Sequence, residues 1–372
     1  MQRMVVVCLI LLLVGCVQAA PTAVFPNDPL TAIPELIWQF AAGDKLEAPA
    51  QVVGEHVVVA TKTAVIALNA SDGQEAWRVA PPHGVWPRSL TSSSDTIFVG
   101  VPSGLLALDA NTGQERWQQT TTGEVLWPPL PGSPVYVATA FVGPGVEPRP
   151  NQHAWGYALD PDSGAILWSL ETDTYTLITP TASDNRVVFG GSRLDESDVN
   201  EGGHLRLHLL TTDGTLLWAV DTVDGFLKSV ALDEQQLYYL AYTDMVYGLS
   251  LADGSEVWHY PTENWSPGFT MADGTLYFGS DNARVHAVAA GEGTAVWQTP
   301  LEGIFNAPRS EPNIVGNYLY FQSNDNRLYG LNRQSGEIIW QSEPQPRSRI
   351  PLTVAGSQLY LATQDGVLLA YR

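Results

Sequence analysis

The chain has 372 residues, 45% hydrophobic and 10% aromatic, with 39 acidic against 18 basic side chains for a net charge of −21. Such a surface repels phosphate backbones and anionic headgroups, which excludes nucleic acid as a partner and charge-driven adsorption to a membrane. Cysteine occurs only as Cys8 and Cys16, so everything after residue 16 lacks a thiol nucleophile and a disulfide and must be stabilised by packing, to which twelve tryptophans contribute.

Residues 1–20 combine Arg3, an apolar run from Val5 to Val14 and then Gly15-Cys16, the layout of a secretory signal peptide over 1–15. The run is too short to span a bilayer. Leu13-Val14-Gly15-Cys16 resembles the bacterial lipobox, which implies lipidation of Cys16 and an extracytoplasmic, lipid-anchored chain on the periplasmic or outer surface of a bacterial membrane. The alternative is an ordinary signal peptide cut after Ala19 or Ala20, since Val17-Gln18-Ala19 also suits such a site. Residues 16–35, with Pro21, Pro26, Pro29 and Pro34, carry no periodic pattern and read as a tether.

From residue 36 the chain repeats itself. Leu105 to Trp117, LLALDANTGQERW, reads as a β-hairpin: an apolar run, a tight turn at Gly113, and a second run ending on Trp117. Six relatives of it end on the pairs Gly73 and Trp77, Gly164 and Trp168, Gly214 and Trp218, Gly254 and Trp258, Gly293 and Trp297, and Gly336 and Trp340. Successive tryptophans lie 40, 51, 50, 40, 39 and 43 residues apart, the period of a four-stranded propeller blade. Trp38 lies 39 residues before Trp77 and looks like the last strand of a unit lacking its first three. Those three are supplied by Ile350–Val354, Ser357–Thr363 and Val367–Tyr371. The expectation is an all-β, eight-bladed propeller over 36–372, built from four-stranded antiparallel blades and closed by its N-terminal strand, a single domain and a monomeric ring.

The repeat resembles the pyrroloquinoline-quinone (PQQ)-type propeller family, whose hairpin signature is matched best by Ala107-Leu108-Asp109 with Gly113 and Trp117, and by Ala158-Leu159-Asp160 with Gly164 and Trp168. The resemblance implies that each tryptophan docks against the neighbouring blade. It also invites a PQQ-dependent quinoprotein dehydrogenase, yet the chain has no adjacent cysteine pair and no evident catalytic Asp with calcium ligands. The leading reading is therefore a non-enzymatic, membrane-anchored scaffold lipoprotein without cofactor or metal, acting in protein–protein interaction in the cell envelope or in outer-membrane protein assembly. Its partners would be envelope proteins or extended peptide segments. A glycan- or small-anion-binding propeller is the other alternative.

Two features mark the face opposite the glycine hairpins. The long connections Phe141 to His153 and Ser192 to Gly203 fall in consecutive blades, as a docking edge or as freely drifting insertions. Seven to ten residues after the blade tryptophans come Trp86, Trp127, Tyr175, Phe226, Trp265 and Phe305, with Arg88, Lys228, Arg309, Arg347 and Arg349 in the same connections. These define either an aromatic, partly cationic mouth to the central channel or packing between blades. His204 and His208 share a strand face without a third ligand, and Asp160 to Gly164 fits an ordinary turn better than a calcium loop.

Overall fold

In a computed structural model of the chain, the described residues are 30–102, 104–141, 153–183, 185–193, 204–224, 227–241, 244–303 and 306–372. They form eight antiparallel sheets, seven made from consecutive chain segments and one from both ends. The consecutive blades span 51–79, 86–120, 130–171, 176–224, 227–261, 269–300 and 308–341. In the eighth, Leu36–Ala41 pairs antiparallel with Val367–Tyr371, Trp38 standing opposite Ala370. Trp38 also lies 5.9 Å, centroid to centroid, from the ring of Tyr360. No helix of the described residues is long and apolar enough to cross a membrane.

The hairpin motif has a physical account residue by residue. In the copy ending at Trp117, Asp109 accepts hydrogen bonds from the backbone N–H of Asn111 and Thr112 at 3.1 and 3.0 Å, the Asx geometry that starts a turn. Gly113 then takes φ +71° and donates its N–H to the Asp109 carbonyl. A register shift follows Ala107, and Trp117 faces that alanine across the strands. The same place is held by Ala67, Ala158, Ala287 and Ala370, in two blades by Gly248 and Gly330, and in the blade of Trp218 by the larger Leu209. A Cβ at Gly248 or Gly330 would stand 2.4 or 2.5 Å from the ring.

Each tryptophan then reaches the following blade. Trp38, Trp77, Trp117, Trp168, Trp218 and Trp297 donate their indole N–H to the carbonyls of Ala70, Ala110, Pro161, Thr212, Leu251 and Arg333, at 2.9–3.0 Å. Trp258 uses a relay instead, donating to Gln236 Oε1 at 2.8 Å while Gln236 Nε2 donates to the Gly291 carbonyl at 2.9 Å. The blade after Trp340 has no glycine turn, and there the Leu30 carbonyl accepts the indole N–H at 2.7 Å. Leu30 is buried with Tyr320, Leu352 and Leu359, so residue 30 of the segment read as a tether is already part of the ring's packing.

Two blades depart from four regular strands. In the blade of Trp168 the innermost strand is reduced to isolated bridges, Leu130 with Tyr136 and Glu124 with Ala140. Pro128, Pro129, Pro131 and Pro134 have no N–H to give the ladder. In the next blade the innermost strand is split into Thr176–Leu177 and Thr181–Ser183 around Pro180.

Candidate functional site

The connections entering the inner strands bring part of the anticipated mouth together. Trp127, Tyr175, Lys228, Trp265, Arg309 and Arg349 line one cavity of about 740 Å³, along with Ile178, Leu227, Pro267, Glu311 and Pro351. A second cavity of about 420 Å³ shares Trp265, Arg309 and Arg349 and adds Asp281 and Asn324. Trp86 and Arg88 are not in the lining. Trp86 donates its indole N–H to Glu124 at 2.9 Å, and the Arg88 guanidinium lies 5.4 Å from the Trp127 ring centroid and 4.0 Å from Glu47. Phe226 and Phe305 lie outside the described residues. Arg347, exposed, is close enough to Arg309 for their charges to repel.

Electrostatics at the mouth are set by burial. Lys228 rests 4.7 Å over the Trp265 ring and donates to the Ser266 carbonyl at 2.7 Å. Desolvation pushes its pKa down to about 8, against the opposing pull of Asp244 and Asp281. Burial pushes the Glu311 carboxyl up to about 6, partly offset by the hydrogen bond it accepts from Ser229 at 2.8 Å. Room for that carboxyl depends on Gly268, where an added Cβ would lie 2.2 Å from Glu311 Oε1. Arg309 is depressed by burial first and then by the like charges of Arg347 and Arg349.

The repeat residues occupy the other face and the seams. Gly73, Gly113, Gly164, Gly214, Gly293 and Gly336 each sit against the indole of the preceding blade, where a Cβ would come within 2.4–2.8 Å of the ring, while Gly254 meets Val220 and Trp218. Of the two long connections, only the stems are described. Phe141 N–H bonds to the Tyr175 carbonyl, and Tyr175 N–H to the Ser192 carbonyl, so both connections leave from the two sides of Tyr175, at the cavity edge. Cys16, residues 1–29, 142–152 and 194–203 lie outside the described residues.

Sequence reasoning missed Glu311. It stands two residues after Arg309 in the connection before Asn313–Val315 and lines the same cavity, but only aromatics and cations were sought there. His208 is a buried packing residue, with Nδ1 3.4 Å from the Phe189 carbonyl and Nε2 3.5 Å from Asp173. Asp160 accepts from Ser163 N–H and Oγ at 2.8 and 2.6 Å, an Asx turn. Among the described residues no group of three or more His, Cys, Asp or Glu side chains is placed to hold a metal ion. The cavity lining, with the single carboxylate of Glu311 against Lys228, Arg309 and Arg349, does not fit a calcium-bound quinone.

Eight sheets in a closed ring, joined by glycine hairpins and inter-blade tryptophans, define an eight-bladed propeller of the PQQ-like repeat class. A family model described as outer membrane protein assembly factor BamB matches residues 157–266 and 243–372. The chain belongs to that family. It is similar to the outer membrane protein assembly factor BamB of Moranella endobia, 26% identical over 238 residues (59% of this chain, 60% of the relative). The Yersinia pestis protein of the same name is 22% identical over 233 residues, 58% of each chain. The chain thus matches about three fifths of the length of these curated relatives. Among solved structures, BamB from Moraxella catarrhalis aligns with TM-score 0.64 at 20% identity, over 91% of this chain and all of that one. Quinohemoprotein alcohol dehydrogenase from Comamonas testosteroni aligns with TM-score 0.68 at 14% identity, over 91% and 76%. At these identities the structural likenesses speak for the fold alone.

Proposed function

We propose that the protein is a non-enzymatic scaffold of the bacterial envelope that acts in outer-membrane protein assembly, held to a membrane through lipidated Cys16. The observation that carries this reading is the match over 157–372 to a family named for outer-membrane protein assembly. The ring's outer surface supports it. The pairs Ile166-Leu167 and Leu216-Leu217, together with Val257 and Val296, are exposed at equivalent places on the outer strands of four consecutive blades. Apolar side chains repeated along an outer rim suit transient contact with other envelope proteins better than isolated exposure does. The dehydrogenase reading is disfavoured by the donor set of the mouth.

Crosslinking in the native host followed by mass spectrometry tests the role. Proteins of the outer-membrane assembly machinery are the expected partners, and their absence from the crosslinked set would remove the proposal. Cys16→Ala separates the anchor from the role: the variant is expected to lose the acyl groups seen on the mature N-terminus and to be released from the membrane fraction.

A further inference from the structure

Cations are scarce in this chain, and several of the described arginines are paired with carboxylates. Arg78, Arg116, Arg206, Arg284, Arg327 and Arg333 each lie within 4.0 Å of a carboxylate. At the mouth the pattern breaks. Arg309, Arg347 and Arg349 have no carboxylate at that distance among the described residues. The Arg309 guanidinium gives one N–H, from Nη2, to the Asn324 carbonyl at 2.8 Å, while Nε and Nη1 are enclosed without an acceptor among the described residues. Asp281 lines the 420 Å³ cavity with Arg309 and Arg349 but is not within 4.0 Å of either guanidinium, and two further carboxylates of the neighbourhood are engaged by other groups. Asp325 accepts from Tyr329 and Asn306 and lies 3.7 Å from the Arg327 guanidinium, and Glu311 accepts from Ser229.

Two of the three guanidiniums, Arg309 and Arg349, line the 740 Å³ cavity together with Lys228 and Glu311, and the rest of its wall is mostly apolar: Trp127, Ile178, Leu227, Pro267 and Pro351. A cavity of this size is in the range that encloses small ligands. An anion reaching the arginines gains charge-assisted hydrogen bonds and relieves their mutual repulsion, and Arg presents a fork that matches a carboxylate in shape. The apolar wall has no such use for a bare inorganic ion. The geometry points to a binding site for a carboxylate carried on an apolar body, its oxygens on Arg309 and Arg349 and its body against Trp127, Ile178 and Leu227. Two sources share that chemistry, a free organic acid and the C-terminus of an extended peptide. The inference does not depend on the assembly role.

Isothermal titration of the full chain tests it with four probes: 3-phenylpropionate, its amide, and a leucine-terminated pentapeptide with a free or an amidated C-terminus. At least one of the two acids is expected to bind about tenfold or more tighter than its amide, since the amide forfeits the charged hydrogen bonds. A tighter peptide acid assigns the site to chain termini, and a tighter phenylpropionate assigns it to free acids. Arg309→Gln with Arg349→Gln is expected to abolish the difference between acid and amide. Arg349→Gln alone, at an exposed position, reduces it severalfold and keeps the test open should the double variant misfold. Arg78→Gln is expected to leave it unchanged. Acid and amide binding alike, no heat from either acid at millimolar concentration, or undiminished acid binding in the arginine variants would overturn the inference.

Discussion

At the scale of single residues, the repeat is a contact between one glycine and one indole, each of which fixes the other. Gly164 has φ +71°, and an added Cβ would stand 2.5 Å from Trp117. Gly164→Ala therefore combines left-handed strain with overpacking and is expected to cost about 2–5 kcal/mol, read from urea unfolding. Wild-type stability would mean that the indole simply moves aside. Glu311 gives a prediction of opposite sign. Its folded value of about 6 exceeds the ordinary 4.5, so the folded state holds the proton more tightly. Its contribution to stability is full below pH 4.5 and is lost as pH rises through 6, by at most about 2 kcal/mol. Glu311→Gln keeps an acceptor for Ser229 and should be neutral at pH 4 but stabilising at pH 7.5, checked by unfolding at both values. The glycine and the tryptophan were legible because each is demanded locally, seven times over. Glu311 was not, since its meaning depends on Ser229 and Gly268 from two other blades.

At the scale of elements, hairpins and blades were legible from the spacing of tryptophans, whereas the state of the innermost strands was not. The prolines before Tyr136 were visible, but a strand reduced to bridges survives only because its neighbours in the ring hold it in place. The Gln236 relay was equally hidden, because a glutamine inside a strand announces nothing about an indole in the same sheet. Gln236→Ala leaves both Trp258 N–H and the Gly291 carbonyl without a partner and is expected to cost about 1–3 kcal/mol in urea unfolding. Gln236→Glu restores an acceptor for Trp258 alone and should fall between the two. A Gln236→Ala protein as stable as the parent would show that water replaces the relay.

At the scale of the whole molecule, the composite blade was legible as arithmetic, three strands at one end and one at the other. The clasp at Leu30 was beyond such reading. It is made by a backbone carbonyl, which any residue could provide, in a stretch without periodic pattern. A chain beginning at residue 30 keeps the Leu30 carbonyl that accepts from Trp340. A chain beginning at residue 36 loses the acceptor of Trp340 and a buried leucine, and should be weaker by about 2–4 kcal/mol. Equal melting of the two shorter chains would show the clasp to be idle. The same seam sets an order of events during synthesis. Leu30 and Trp340 are separated by 310 positions, and Leu36 pairs with Tyr371, so the strand Leu36–Ala41 waits without this partner until Val367–Tyr371 has been made. Contacts so distant along the chain make the final step of folding slow. Throughout that interval an open sheet edge is on offer to any chaperone, or to any neighbouring nascent chain.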